Sequence, residues 1–139
     1  MDKNGNCRAK GLTSATLYFS GVTEIRSREI PSANHYTLIS KDKSKVRQAI
    51  GVAFDPNNQR IYWADVALKM IVSSNLNGGE YKTWNHSNIV KPEFLAIDYL
   101  GRNFYYSDSA KKIIGVCTIE GHYCQAVISK GKSLEAMFF

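Results

Sequence analysis

Apolar residues in this chain fall in short runs, and turn-forming polar residues interrupt each one. The clearest set covers residues 51–54, 61–64, 70–76 and 80–84, separated by Asp55-Pro56-Asn57-Asn58 and Asn77-Gly78-Gly79. β-Branched and aromatic side chains dominate the runs and suit a pleated surface, whereas Asn, Gly and Pro suit tight turns. The pattern predicts four short strands joined by hairpins. No stretch sustains a 3.6-residue period, so almost no helix is expected.

The same pattern recurs. Ala53-Phe54-Asp55 and Arg60-Ile61-Tyr62-Trp63-Ala64-Asp65 return as Ala96-Ile97-Asp98 and Asn103-Phe104-Tyr105-Tyr106-Ser107-Asp108, every equivalent pair 43 positions apart. Ile71, Leu76 and Gly78 fall on Ile114, Ile119 and Gly121 at the same spacing. Asp98-Tyr99-Leu100-Gly101 marks the first turn of the second copy, and Asn77-Gly78-Gly79 and Glu120-Gly121 read as hairpin turns, where glycine accepts positive φ without a Cβ clash. A partial copy lies upstream, with Leu17-Tyr18-Phe19-Ser20 ahead of Ile25 and Ile30, and another begins at Glu135-Ala136-Met137-Phe138-Phe139. Four strands in a period of about 40–50 residues is the pattern of propeller blades, whereas a sandwich has no reason to repeat its spacing. The expected fold is all-β: an incomplete β-propeller fragment of about two full four-stranded blades plus partial ones, with repeats near 17–60, 61–103 and 104–139. Such an open stack leaves strand edges unpaired, which favours aggregation or partial folding in isolation.

Tyr62-Trp63-Ala64-Asp65 and Tyr105-Tyr106-Ser107-Asp108 resemble the Tyr-Trp-Thr-Asp motif of low-density lipoprotein receptor family propellers, and residues 95–103 resemble the stretch that precedes it. Tyr18-Phe19-Ser20-Gly21 lacks the aspartate, as the opening strand of these propellers commonly does. Asp2-Lys3-Asn4-Gly5-Asn6-Cys7 looks like the last turn and final cysteine of an epidermal-growth-factor-like module. The resemblance implies that residues 1–11 end such a module and residues 12–139 open a YWTD-type propeller, which in this family has six blades. It makes Tyr62, Trp63, Asp65, Tyr105, Tyr106 and Asp108 structural residues, with the aspartates tying blades together. It further implies a non-enzymatic extracellular module of an endocytic receptor that binds or releases a lipoprotein- or yolk-protein-type ligand, with no cofactor. Wnt co-receptors and nidogen-like matrix proteins share the fold. A lactonase-type propeller enzyme would need carboxylate or amide metal ligands on its inner strands, where Ala53, Phe54, Leu95, Ala96 and Ile97 stand instead.

Charge and cysteine content refine this picture. The 139 residues carry 18 Lys and Arg against 12 Asp and Glu, a net charge of +6. The cations never form the run typical of a nucleic-acid arm, so no nucleic-acid partner is expected. A solvated, slightly basic surface and a basic face for an acidic partner both remain open. No segment approaches the ~20 apolar residues of a membrane helix, so membrane attachment is expected only through segments outside this chain, as is an export signal. Cys117 and Cys124 flank the turn at Glu120-Gly121 symmetrically, and opposed Cβ atoms in a hairpin lie about 4.5–5.5 Å apart, within reach of a disulfide. That bond would place the domain outside the cytosol. The alternatives are two reduced thiols, or a metal site with His122, which would lack a fourth ligand. Cys7 would pair upstream. Asn85-His86-Ser87 matches the N-glycosylation acceptor pattern. Asp55, Asp65, Asp98 and Asp108 occupy repeated positions, which suits turn capping better than one catalytic pocket. His35, His86 and His122 are isolated, and none is assigned as a pH switch.

Overall fold

The computed structural model describes residues 14–31, 34–121 and 123–129. The expected growth-factor-like segment 1–11 with Cys7, the copy beginning at Glu135, and His122 lie outside the described residues. Three antiparallel sheets follow one another along the chain. The first holds β1 (Ala15–Ser20), β2 (Ile25–Ile30) and β3 (Thr37–Ser40). The second holds β4 (Ala49–Asp55), β5 (Arg60–Asp65), β6 (Met70–Asn75) and β7 (Lys82–Trp84). The third holds β8 (Pro92–Asp98), β9 (Asn103–Asp108), β10 (Ile113–Thr118) and β11 (Cys124–Ser129). There is no helix among the described residues, and the chain is all-β, a propeller fragment with two four-stranded blades and a three-stranded one. The bounds of β8, β9 and β10 repeat those of β4, β5 and β6 one sequence period later, so the 43-residue spacing is a spacing of blades.

Strand alternation explains the stacking. Ile61 and Trp63 point from β5 toward the first sheet and pack with Ile25, Ile39, Val46, Ala49 and Val72. Tyr62 and Ala64 point the other way and pack with Ile71, Trp84, Phe104, Tyr106 and Ile119 against the third sheet. Every residue of β5 is buried because both of its faces are covered. Trp84 meets the Phe104 ring edge-on with centroids 5.0 Å apart, and Tyr18 stacks on Phe54 at 4.9 Å. Each fully buried side chain of this size contributes roughly 1.5–3 kcal/mol of burial free energy.

Two glycines permit close approach between sheets. At Gly51, a Cβ would overlap the Glu93 carbonyl oxygen where β4 and β8 run side by side. Gly78, in the turn after β6, has φ 78° and lies against the Ile39 carbonyl of the first sheet.

Strand direction sorts the loops onto two ends of the stack. Residues 21–24, 41–48, 66–69, 85–91 and 109–112 lie at one end, and residues 56–59, 76–81, 99–102 and 119–123 at the other.

Gly78→Ala combines a left-handed backbone penalty with overlap on a neighbouring backbone, and is expected to cost about 2–4 kcal/mol. Gly79→Ala, whose added Cβ meets only the Asn75 side chain at ordinary distance, is expected to cost under about 1 kcal/mol. Urea unfolding midpoints of the two variants test this ordering.

Candidate functional site

Asp65 and Asp108 end the second strand of their sheets and are buried. One Asp65 oxygen accepts the Arg47 and Gln48 N–H groups at 2.7 and 2.8 Å, and the other accepts Ala67 and Leu68 at 3.1 and 2.9 Å. Asp108 repeats the arrangement with Val90 and Lys91, both at 2.7 Å, and Lys111 at 2.9 Å. Each carboxylate therefore joins the loop entering its sheet to the turn leaving its second strand. Trp63 adds a bond from its ring N–H to the Lys45 carbonyl at 2.8 Å. Tyr62 and Tyr106 lie in the core between the second and third sheets, while Tyr105 faces the opposite side of the third sheet and is half-buried. Burial raises the Tyr62 hydroxyl above its usual range and pushes Tyr106 up to about 12, with Asp108 adding to the latter.

Asp55 and Asp98 lie at the other end. Asp55 is fully buried and receives the Arg102 guanidinium in a two-pronged contact at 2.9 and 3.1 Å. Arg102 also reaches Glu120 at 3.0 Å, and Asn57 donates to the Tyr99 carbonyl at 3.0 Å. Arg102 holds the Glu120 carboxyl below its usual range, and Asp55 in turn fixes Arg102 in its cationic form. This latch joins the first turn of the second sheet to the first turn of the third. Sequence reasoning missed Arg102 because its partner stands 47 positions away in the preceding repeat, beyond any local pattern. The repeated aspartates are thus divided between two ends.

Cys117 and Cys124 face each other across β10 and β11 with Cα atoms 4.1 Å apart and form a disulfide. Reduced thiols and a shared metal are thereby excluded for these two sulfurs. Asn85 is exposed in the loop after β7.

The two ends differ in chemistry. At the end holding the Arg102 latch, Leu100 is 81% exposed and Tyr99 47%. They border a cavity of about 260 Å³ lined by Ala96, Ile97, Asp98, Tyr99, Leu100 and Tyr105. One period earlier the same turn carries Pro56 and Asn57, so the apolar tip is particular to the third sheet. The opposite end gathers Lys41, Lys43, Lys45 and Arg47 from one loop, Lys69 and Lys91 from two others, and Lys111 with Lys112 from a fourth. Carboxylates there are already engaged: Asp65 and Asp108 by backbone N–H groups, Glu24 by Arg26, Glu93 by Lys91 at 3.5 Å, and Asp42 by Ser44. Cations that are scattered along the sequence therefore form one basic face. The loops that carry them are brought to this end once per period, and Lys69 and Lys112 occupy the same position in successive repeats.

Comparison with known proteins places these features. The family model "Low-density lipoprotein receptor repeat class B" matches residues 59–99. The chain is 29% identical over 129 residues to low-density lipoprotein receptor-related protein 8 of Homo sapiens, covering 90% of this chain and 13% of that protein. It is 34% identical over 128 residues to the vitellogenin receptor Yl of Drosophila melanogaster, covering 85% and 6%. It is 36% identical over 85 residues to nidogen of Drosophila melanogaster, covering 61% and 6%. Among solved structures, the crystal structure of a nidogen/laminin complex superposes with a TM-score of 0.69 at 26% identity, over 85% of this chain and 45% of that one. The chain thus spans 6 to 13% of the length of these curated relatives.

Asp65→Asn and Asp108→Asn keep the side-chain shape but turn an amide N–H₂ toward backbone donors, and each is expected to cost about 2–4 kcal/mol. Asp98→Asn, which disturbs the half-buried acceptor of a single Gly101 N–H at 2.8 Å, is expected to cost under about 1 kcal/mol. Chemical denaturation of the three variants checks the order.

The raised Tyr106 pKa makes a separate prediction. The fold favours the protonated phenol, so this contribution to stability is complete below pH 10.0 and is lost as pH rises through about 12. Part of the tyrosine absorbance change in an alkaline titration should lag toward that pH, and the lagging part should shrink by one residue's share in Tyr106→Phe.

Proposed function

We propose, on the premise that this chain is a run of low-density lipoprotein receptor class B repeats, that it serves as a non-enzymatic, extracellular module that binds and releases a protein ligand for an endocytic receptor. The exposed Leu100 and Tyr99 beside their apolar cavity carry the reading. Large apolar side chains projecting from a rigid turn are the usual anchors of a protein interface. The rigidity comes from the Arg102–Asp55 latch immediately beside them. The similar proteins are receptors and a matrix protein, which supports binding rather than catalysis. The ligand class is lipoprotein or yolk protein, as for receptors named for such cargo. The Cys117–Cys124 disulfide suits an oxidising, extracellular setting. Asn85, exposed in its Asn-His-Ser acceptor pattern, carries an N-linked glycan in this reading. Membrane attachment comes through segments outside this chain, and neither nucleic acid nor a cofactor takes part.

The similarity to nidogen and to a nidogen/laminin structure supports a second reading, a matrix module whose protein partner is laminin-like. The two separate in one binding assay on the immobilised, disulfide-intact chain. Low-density lipoprotein particles or a purified yolk protein should bind, and Leu100→Asp and Tyr99→Ala should each weaken binding about tenfold or more. Binding to laminin alone selects the matrix reading. Failure of all three ligands, or indifference to both substitutions, would remove the proposed interface.

A further inference from the structure

The basic end of the stack has the chemistry of a polyelectrolyte site. Lys41, Lys43, Arg47, Lys69, Lys111 and Lys112 are exposed there, on loops that return once per blade. Residues 21–24, 41–48, 66–69, 85–91 and 109–112 contain no Phe, Tyr or Trp. Protein interfaces concentrate aromatic residues and Arg at their centres and are depleted in Lys. A lysine-rich, aromatic-free surface instead suits a flexible polyanion, whose binding is driven by release of counterions and needs no apolar anchor.

A second feature lies within this end. A cavity of about 400 Å³ opens between the β1–β2 turn and the loop before β4, lined by Thr23, Glu24, Lys41, Lys43, Val46 and Arg47. Its one carboxylate, Glu24, is held by Arg26. Three cations and the Thr23 hydroxyl are thereby left to face an anionic occupant. The volume falls in the range of small-ligand pockets and accommodates a sugar unit with its substituents.

We propose that this end binds a sulfated polysaccharide, with one sulfated sugar in the cavity and the polymer running across the neighbouring loops toward Lys111 and Lys112. Sulfate esters stay ionised at every physiological pH. Their spacing along a polymer lets one chain engage cations on successive blades, where each contact alone is weak and screened by salt. The site is separate from the Leu100 tip, which lies at the opposite end, so each can fail without the other. An anionic membrane surface is the less suitable partner, since strong negative lipid charge belongs to the cytoplasmic leaflet.

The test uses the full chain carrying Asn85→Gln, so that no glycan shields the end, with near-ultraviolet circular dichroism to verify that each variant retains the fold. Heparin, fully desulfated heparin, poly-glutamate and phosphatidylserine vesicles are compared by biolayer interferometry over a series of salt concentrations. Heparin should bind and its desulfated form should not. The Lys41→Gln/Lys43→Gln/Arg47→Gln and Lys111→Gln/Lys112→Gln variants should each weaken heparin binding about tenfold or more and flatten its salt dependence. Lys41→Arg/Lys43→Arg should keep the affinity, and Lys82→Gln, at the opposite end, should not change it. Absence of heparin binding, an equal loss in Lys82→Gln, or tighter binding to poly-glutamate or to vesicles would overturn the assignment.

Discussion

The structure depends on a buried carboxylate that closes each four-stranded blade onto the loop feeding it. Asp65 and Asp108 are both inaccessible to solvent, which would be costly for an unpartnered charge. Each is compensated by backbone N–H groups drawn from two segments separated by the length of two strands. Those N–H groups belong to loops that cannot join a ladder, so the same contact removes two liabilities together. The loop before the sheet and the turn within it are thereby held in fixed relation. The position at which one sheet hands over to the next follows from that relation.

With the loops fixed, alternation within the strands does the rest. The middle sheet offers Trp63 and Ile61 to one neighbour and Tyr62 and Ala64 to the other. A single four-stranded sheet could not bury both sets, and stacking is the only way to remove them from water. The second joint lies at the far end, where Arg102 spans Asp55 and Glu120. One end is therefore sewn within the two four-stranded blades by carboxylate and backbone, and the other is latched between them by an ion pair with the fully buried Asp55. Both joints leave the loop tips as rigid projections.

That division separates two surfaces of different chemistry. The latched end projects an apolar tip at Tyr99 and Leu100, whereas the sewn end projects lysines from loops whose carboxylates are already committed to internal bonds. Lys69 and Lys112 have the same left-handed backbone, φ 55° at each, one period apart. The repeat therefore places these two lysines at equivalent positions of successive blades. A propeller that serves as a receptor or matrix element can in this way offer a protein interface and a polyanion surface without either intruding on the other.

The sequence by itself determined the period, the strand content and the hairpins, because these depend on local alternation and on turn residues that act within a few positions. It also placed Cys117 opposite Cys124, since symmetry about a hairpin turn is a local matter. Tertiary structure alone decided which aspartates share an end, that Arg102 would find Asp55 one blade earlier, and that cations spread along the chain would gather on one face. These are contacts between loops brought together by stacking, and their sequence separations follow the blade period rather than any turn or strand. The apolar tip belongs to the same class: Leu100 reads as an ordinary turn residue until the stack leaves it projecting into solvent.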